Sequence, residues 1–226
     1  MTNETEISGL IDQAKSQARG DAVKNFISNN KKNVTTFTVV GTIALVIFLI
    51  FNFYQKSQER KFSKILHQSL IDQQIGDLAK AQESLKKIYE TESAPGGVRS
   101  LAGLRYAGLL LNEGKSVEAI KVYQTINECG SCDSYAKDLA GLLLVKFWIM
   151  DASENNKEDL GARIEKIENK SKILKYQIAE QRAWFEMQKN NLEKSRQIFE
   201  SIAKNPEAPQ VVKARAADGL RIISGR

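Results

Sequence analysis

The chain has 226 residues, with 33 Lys and Arg, 27 Asp and Glu and a formal net charge of +6. The basic residues are dispersed, and no arginine-rich stripe or basic run with interleaved aromatics indicates a nucleic-acid interface. Only three prolines occur, and β-branched residues almost never alternate with polar ones, so the sequence predicts an all-α fold rather than a sheet.

The first predicted segment is an N-terminal tail, residues 1–33, with five basic and four acidic side chains. Its apolar residues Ile7, Leu10, Ile11 and Ala14 fall on one helical face, which is typical of a short amphipathic helix on a membrane surface. An unstructured tail fits the same residues equally well.

Residues 34–54, VTTFTVVGTIALVIFLIFNFY, carry no charge and form the predicted transmembrane helix. At about 1.5 Å per residue this helix is roughly 30 Å long, the thickness of the hydrocarbon core of a bilayer. Lys32 and Lys56 bracket it, and aromatic residues gather at its C-terminal end, where an interfacial belt is expected. The length of the run and the lack of a small-residue cleavage motif after it favour an uncleaved anchor over a signal peptide. A buried core helix is the other alternative, and it is disfavoured because no other segment has the composition to cover the run on every side.

Charge alone does not decide which way the anchor is oriented. Four basic side chains lie on each side of the span, within about twenty residues of it, so the positive-inside rule gives no clear preference. Long domains translocate with little regard to charge, and the short tail weakly favours a cytoplasmic N-terminus.

The remaining segment, residues 55–226, carries an internal repeat. A tight turn precedes a small residue, then a large apolar residue four positions later, then isoleucine three positions after that. The three copies are Ala81/Leu85/Ile88, Ala119/Tyr123/Ile126 and Ser195/Phe199/Ile202. Their turns begin at residues 76, 114 and 190, which fits a 38-residue period with one further unit, displaced slightly, at Leu160/Ile164/Ile167.

This repeat predicts stacked helical hairpins. A small side chain lets the two helices of a hairpin approach closely, and each hairpin leaves an apolar face for the next one to cover. We therefore predict an α-solenoid of about four hairpins and, beyond Pro206 and Pro209, a capping helix over residues 209–223. A generic helical bundle whose spacings agree by coincidence is the alternative.

The run GKSVEAIKVYQTI at 114–126 is similar to the second half of a tetratricopeptide unit. The segments AKDLAGLLLVKFW, AEQRAWFEMQKNNLEKSRQIFESIA and NPEAPQVVKARAADGLRII extend the likeness towards the C-terminus. The whole layout resembles the membrane-anchored tetratricopeptide-repeat family of Gram-negative inner membranes that includes the ancillary subunit of the Sec translocon. The resemblance implies a cytoplasmic tail, a periplasmic repeat domain and a role in handling or scaffolding exported proteins.

No constellation of residues predicts an enzyme. The single histidine, His67, has no convergent partners, and no phosphate-binding glycine loop appears. Acidic residues are expected on solvated helix surfaces near lysines, as in Glu118 and Lys121. We therefore expect no catalytic, cofactor-binding or metal site.

Cys129 and Cys132 enclose Gly-Ser in the turn after the second repeat unit. In an oxidising compartment they are predicted to form a structural disulfide clip that stabilises by about 2 kcal/mol. Two free thiols are the main alternative. A redox-active pair of thioredoxin type would follow a strand in an α/β context, and a zinc site would need two further ligands.

Two helices, around residues 101–111 and 139–149, are more apolar than one buried stripe requires. Burial between neighbouring helices on both sides explains this composition. The alternative is that Leu104, Leu111 and Trp148 line a groove that receives an extended or helical partner segment.

The functional expectation is a membrane-tethered adaptor or chaperone that binds translocon subunits or exported proteins. The anchor would raise the local concentration of the domain beside the membrane, so that weak contacts suffice. A scaffold for cell-envelope assembly or cell division is the alternative. The expected partners are proteins and, through the anchor, membrane lipid, with no nucleic acid; the sequence leaves the oligomeric state open.

Overall fold

The computed structural model describes residues 31–151 and 157–225, and within these ranges the chain forms nine α-helices and no strand. The prediction of an all-α chain is confirmed for this part of the protein. Most of the N-terminal tail lies outside the described residues. In chain order the helices are α1 (Lys31–Gln74), α2 (Leu78–Glu90), α3 (Gly96–Asn112), α4 (Ser116–Glu128), α5 (Ser134–Met150), α6 (Lys157–Lys170), α7 (Lys175–Gln188), α8 (Leu192–Lys204) and α9 (Gln210–Ser224).

The chain divides into two compact units, Met1–Lys56 and Ser57–Arg226. In the first unit, α1 contains the predicted transmembrane segment, and every residue from 39 to 51 is exposed. Phe48 and Ile50 are 61% and 64% exposed. Asn52, the one amide side chain of the apolar run, donates from Nδ2 to the Phe48 carbonyl oxygen at 2.9 Å, so it is partly satisfied within the helix. Among the described helices, α1 alone is long and apolar enough to cross a membrane.

In the second unit, each helix from α2 to α9 packs against the next one along the chain. A second set of contacts joins α3 to α5, α5 to α7 and α7 to α9. The helices α3, α5, α7 and α9 therefore form one contiguous row, which we call the first row.

The repeated small, large and isoleucine positions lie in the core of this unit. Their exposure is 2% or less at Ala81, Leu85, Ile88, Ala119, Tyr123, Ile126, Ser195, Phe199 and Ile202. Ser195 also donates its hydroxyl to the Ala183 carbonyl oxygen of α7 at 2.8 Å. The small residue is needed because the backbone of the preceding helix lies directly over it.

The three turns that precede these triplets share one backbone conformation. Gly76, Gly114 and Asn190 have φ values of +86°, +76° and +61°, a left-handed region that suits glycine best and asparagine next. In each turn the following N–H donates to the carbonyl oxygen five residues earlier: Asp77 to Asp72, Lys115 to Leu110 and Asn191 to Glu186. The 38-residue spacing of the sequence is thus also a spacing of identical turns. The corresponding turn of the displaced unit includes residues 152–156, which lie outside the described residues.

Candidate functional site

The three residues predicted to line a partner groove are half-buried and lie on two helices of the first row. Leu104 and Leu111 belong to α3, and Trp148 belongs to α5. All three pack against the same buried cluster, which includes Leu110 and Leu144. Much of their apolar surface is therefore used in packing between helices.

Trp148 lies in a separate pocket from the two leucines. The guanidinium Cζ of Arg163, from α6, lies 4.0 Å from the centroid of the indole ring, a cation–π contact. The adjoining cavity of about 170 Å³ is lined by residues of α4, α5 and α6, and Leu104 and Leu111 are not among the described residues that line it. This cavity therefore contains one of the three predicted groove residues, and the groove itself stays a prediction.

The cysteines lie in the turn between α4 and α5. Cys129 follows the last residue of α4, and Asp133 caps α5 by accepting the N–H groups of Tyr135 and Ala136 at 2.9 and 3.1 Å. A disulfide joins Cys129 to Cys132, whose Cα atoms are 5.4 Å apart.

Within the described residues, two other loops have the same length and similar ends without cysteines. Thr91 and Asn205 occupy the place of Cys129, with φ and ψ of −81°, 108° and −78°, 122° against −64°, 122°. Pro95 and Pro209 occupy the place of Asp133 with closely similar dihedral angles. The ends of the three loops therefore share one backbone conformation. Their interiors differ, because the Ala94 N–H donates to the Thr91 carbonyl oxygen at 3.0 Å and the Ala208 N–H to that of Asn205 at 3.3 Å, whereas Cys132 makes no such backbone bond to Cys129 among the described residues.

Arg99 of α3 reaches across to the disulfide. Its Nη2 lies 3.2 Å from Cys129 Sγ and donates to Ser131 Oγ at 3.0 Å. A cavity of about 600 Å³ opens beside this contact, and its lining includes Arg99 together with the acidic residues Glu90, Glu92 and Glu128. The Ser131 carbonyl oxygen sits so close to Gly96 that a Cβ at residue 96 would overlap it. These contacts hold the turn against the start of α3.

The prediction that acidic residues lie on solvated surfaces is right for Glu118 and wrong for five others. Glu118 is exposed, whereas exposure is 7% or less at Asp72, Asp138, Glu168, Glu180 and Glu186. Four of the five pair with a basic side chain: Asp72 with Lys80, Glu168 with Arg182, Glu180 with Arg215 and Glu186 with Lys194. Their burial is possible because a charged partner compensates for lost hydration.

The pair formed by Glu180 and Arg215 links two helices of the first row. Arg215 Nε and Nη2 donate to the two carboxylate oxygens of Glu180, each at 2.7 Å. This hydrogen bonding raises the pKa of Arg215 above its ordinary value. This bidentate pair links α9 to α7 and is consistent with a structural role.

Within the described ranges, no group of three or more His, Cys, Asp or Glu side chains is placed to hold a metal ion. His67 is exposed on α1. No protein-family model, curated protein or solved structure matches this chain. Any functional conclusion therefore depends on the residues and contacts described above.

Proposed function

We propose that this protein is a single-pass membrane protein whose helical domain binds protein partners beside the membrane. The observation that carries the proposal is the exposed apolar stretch of α1, residues 39–51. An apolar surface of this extent is unfavourable in water. The uncharged run that contains it, residues 34–54, is about 30 Å long as a helix, which matches the hydrocarbon core of a bilayer. On its C-terminal side the apolar run is followed by charged residues, among them Lys56 and Arg60.

For residues 57–225 we infer a tetratricopeptide-like α-solenoid of about four hairpins. The hairpins would be the end of α1 with α2, then α3 with α4, α5 with α6, and α7 with α8. Three features support this arrangement: the contacts along the first row, the identical turns, and the buried cluster that contains Phe62, Leu66 and Leu85. Helix α9 would be the cap, since its buried face of Val212, Ala216 and Ile223 covers the last hairpin.

The proposed location is the bacterial inner membrane, with a cytoplasmic N-terminus and a periplasmic domain. The Cys129–Cys132 disulfide supports an oxidising compartment for the domain. The proposed role is that of a chaperone or adaptor for proteins at or near the translocation machinery, and its support is the layout of tail, span and repeats. An exposed first-row helix could offer a surface to an extended chain.

Membrane insertion is tested by fractionation of the full-length protein with alkaline extraction. We expect the protein to stay in the membrane pellet, and we expect Val46→Arg with Ile50→Arg to release it, because arginine at the centre of a span is costly. Val117→Arg with Val211→Arg is the matched control, since both valines are exposed, 69% and 66%, in the second unit. Extraction of the unaltered protein into the soluble fraction would contradict the proposal.

The partner class is tested by photo-cross-linking in intact cells from Leu101 and Tyr135, which are exposed on the first row. Gln197, exposed on α8, is the control position. Capture of translocon subunits or exported polypeptides from the first-row positions supports the export role. Capture of division or wall-synthesis proteins instead would replace that role with an envelope scaffold. Protease access to the domain in spheroplasts tests the orientation.

A further inference from the structure

The disulfide closes a loop whose length and end geometry recur in two loops without cysteines. In the two equivalent turns, Ala94 and Ala208 occupy the position of Cys132, and each is 4% exposed. The flanking dihedral angles agree closely among the three turns. Opening the disulfide would leave a loop with the length and end geometry of two loops that are closed by a backbone hydrogen bond alone, so we expect the domain to stay folded when the bond breaks.

The two sulfur atoms have different surroundings. Both cysteines border the 600 Å³ cavity, but Cys132 is 9% exposed whereas Cys129 is half-buried. Arg99 Nη2 is 3.2 Å and Ser131 Oγ is 3.7 Å from Cys129 Sγ. A guanidinium at this distance favours a thiolate over a thiol once the bond is open. Cys129 is therefore the accessible and electrostatically supported sulfur, and Cys132 is the sheltered one.

We propose that the Cys129–Cys132 disulfide is a redox-active site that exchanges with cysteine thiols of polypeptides. Cys129 forms the mixed disulfide, and Cys132 is the leaving thiolate when the partner is oxidised and the resolving thiolate when the partner is reduced. This activity goes beyond partner binding. The sequence context of thioredoxin is absent here, and the cation comes instead from Arg99 on the neighbouring helix α3.

The exchange balances with a polypeptide dithiol as the reductant. One partner thiolate attacks Cys129 Sγ, a new S–S bond forms between them, and the electron pair of the broken bond leaves on Cys132 Sγ. The second partner thiolate then attacks the partner's own sulfur in the mixed disulfide. The partner leaves with a disulfide and Cys129 departs as a thiolate beside Arg99, so two electrons pass from the partner to the cysteine pair. The reverse sequence reduces a partner disulfide.

The cavity beside Cys129 predicts which polypeptides exchange fastest. Its lining includes three acidic residues, Glu90, Glu92 and Glu128, and one cation, Arg99. The guanidinium of Arg99 already contacts the sulfur and Ser131. A second cavity of about 400 Å³, which Cys129 also borders, is lined by two acidic residues, Glu128 and Asp138, and two basic ones, Lys137 and Lys170, so its formal charges balance. The acidic cavity therefore favours a cysteine flanked by Lys or Arg.

The assignment of the two sulfurs is tested on the purified full-length protein in detergent. The single-cysteine variants Cys132→Ser and Cys129→Ser are mixed with a peptide disulfide that has lysines beside its cysteine, and adduct formation is followed by mass spectrometry. We expect Cys129 in the first variant to react at least about tenfold faster than Cys132 in the second. Equal rates, or a faster Cys132, would overturn the assignment.

The role of Arg99 is tested in the Cys132→Ser background. Arg99→Gln is expected to slow adduct formation about tenfold, whereas Arg99→Lys keeps most of the rate because it keeps the charge. Thermal unfolding of both variants checks that the domain is folded. An unchanged rate in folded Arg99→Gln would exclude the proposed support of Cys129 by this guanidinium.

The complete exchange is tested with the wild-type protein and dithiol peptides that differ only in flanking lysines or glutamates. The expected result is one peptide disulfide for each cysteine pair reduced, formed faster with the lysine peptide. A folded protein whose disulfide never exchanges with either peptide would be a purely structural clip, and the proposal would fail. None of these measurements involves a membrane or a translocon, so their outcome is independent of the export role.

Discussion

Asp138 and Ser171 are joined across 33 residues of sequence, with the Ser171 hydroxyl donating to Asp138 Oδ2 at 2.7 Å. The same oxygen accepts the backbone N–H groups of Lys172, Ile173 and Leu174 at 2.9, 2.6 and 3.1 Å. One carboxylate oxygen of α5 thus accepts hydrogen bonds from most of the donors in the loop between α6 and α7. It fixes where α7 begins relative to α5.

Replacement of Asp138 by alanine is expected to destabilise the protein strongly. The change leaves the loop donors without their acceptor in a buried place, and we expect the free energy of unfolding to fall by about 3 kcal/mol. Urea denaturation of the full-length protein in detergent measures the loss. Asp218→Ala is the matched control, because Asp218 is exposed and pairs only with Arg221 one turn away. Equal effects of the two substitutions would contradict the structural role of Asp138.

The repeated triplets could be predicted from sequence because their signal is local. A small residue, a large one and isoleucine recur at one spacing after each turn. Because these positions are buried, each accepts only side chains of a suitable size. Asp138 could not be predicted, since its partners lie 33 to 36 residues away and no local pattern marks them. The same holds for Arg99, which meets Cys129 across 30 residues. Asp72 and Glu186 occupy equivalent positions, five residues before Asp77 and Asn191, but Leu110 has that position in the second turn, so the repeat does not mark it as acidic.

Gly219 and Gly108 are both helical glycines, and alanine is expected to act oppositely at the two. A Cβ at Gly219 would lie 2.6 Å from the Phe199 ring, whereas a Cβ at Gly108 would meet nothing within 4 Å. Gly219→Ala should lower the free energy of unfolding by about 1–3 kcal/mol through overpacking. Gly108→Ala should raise it by up to about 1 kcal/mol through helix propensity. Denaturant titration measures the free energy of unfolding of both variants. Stabilisation by alanine at both sites would argue against close packing of α9 on α8.

Ser195 occupies the position that alanine holds in the first two repeats, at Ala81 and Ala119. We expect Ser195→Ala to change the free energy of unfolding by less than about 1 kcal/mol, because the carbonyl that loses the hydroxyl contact belongs to a helix. Ser195→Leu should destabilise by about 1–3 kcal/mol, since the site has no room for three more carbons. Thermal unfolding compares the two. Tolerance of leucine would contradict the close approach of α7 and α8.

Tyr123 should make the protein sensitive to alkaline pH. Burial raises the pKa of Tyr123 above its ordinary value of 10.0, and its side chain is 2% exposed. The unfolded chain then releases the phenol proton at lower pH than the folded chain does. The stabilisation is complete below the ordinary pKa and is lost as the pH rises through the raised one.

Tyr123→Phe removes the ionisable hydroxyl and keeps the ring. We expect this variant to lose less of its free energy of unfolding than the wild type as the pH rises beyond about 10. Denaturant titrations at several pH values measure the slope. Tyr135→Phe is the control, because Tyr135 is 51% exposed and its removal should leave the slope as it is in the wild type. If Tyr123→Phe followed the wild-type slope as well, the phenol proton of Tyr123 would not limit alkaline stability, and another group would have to account for it.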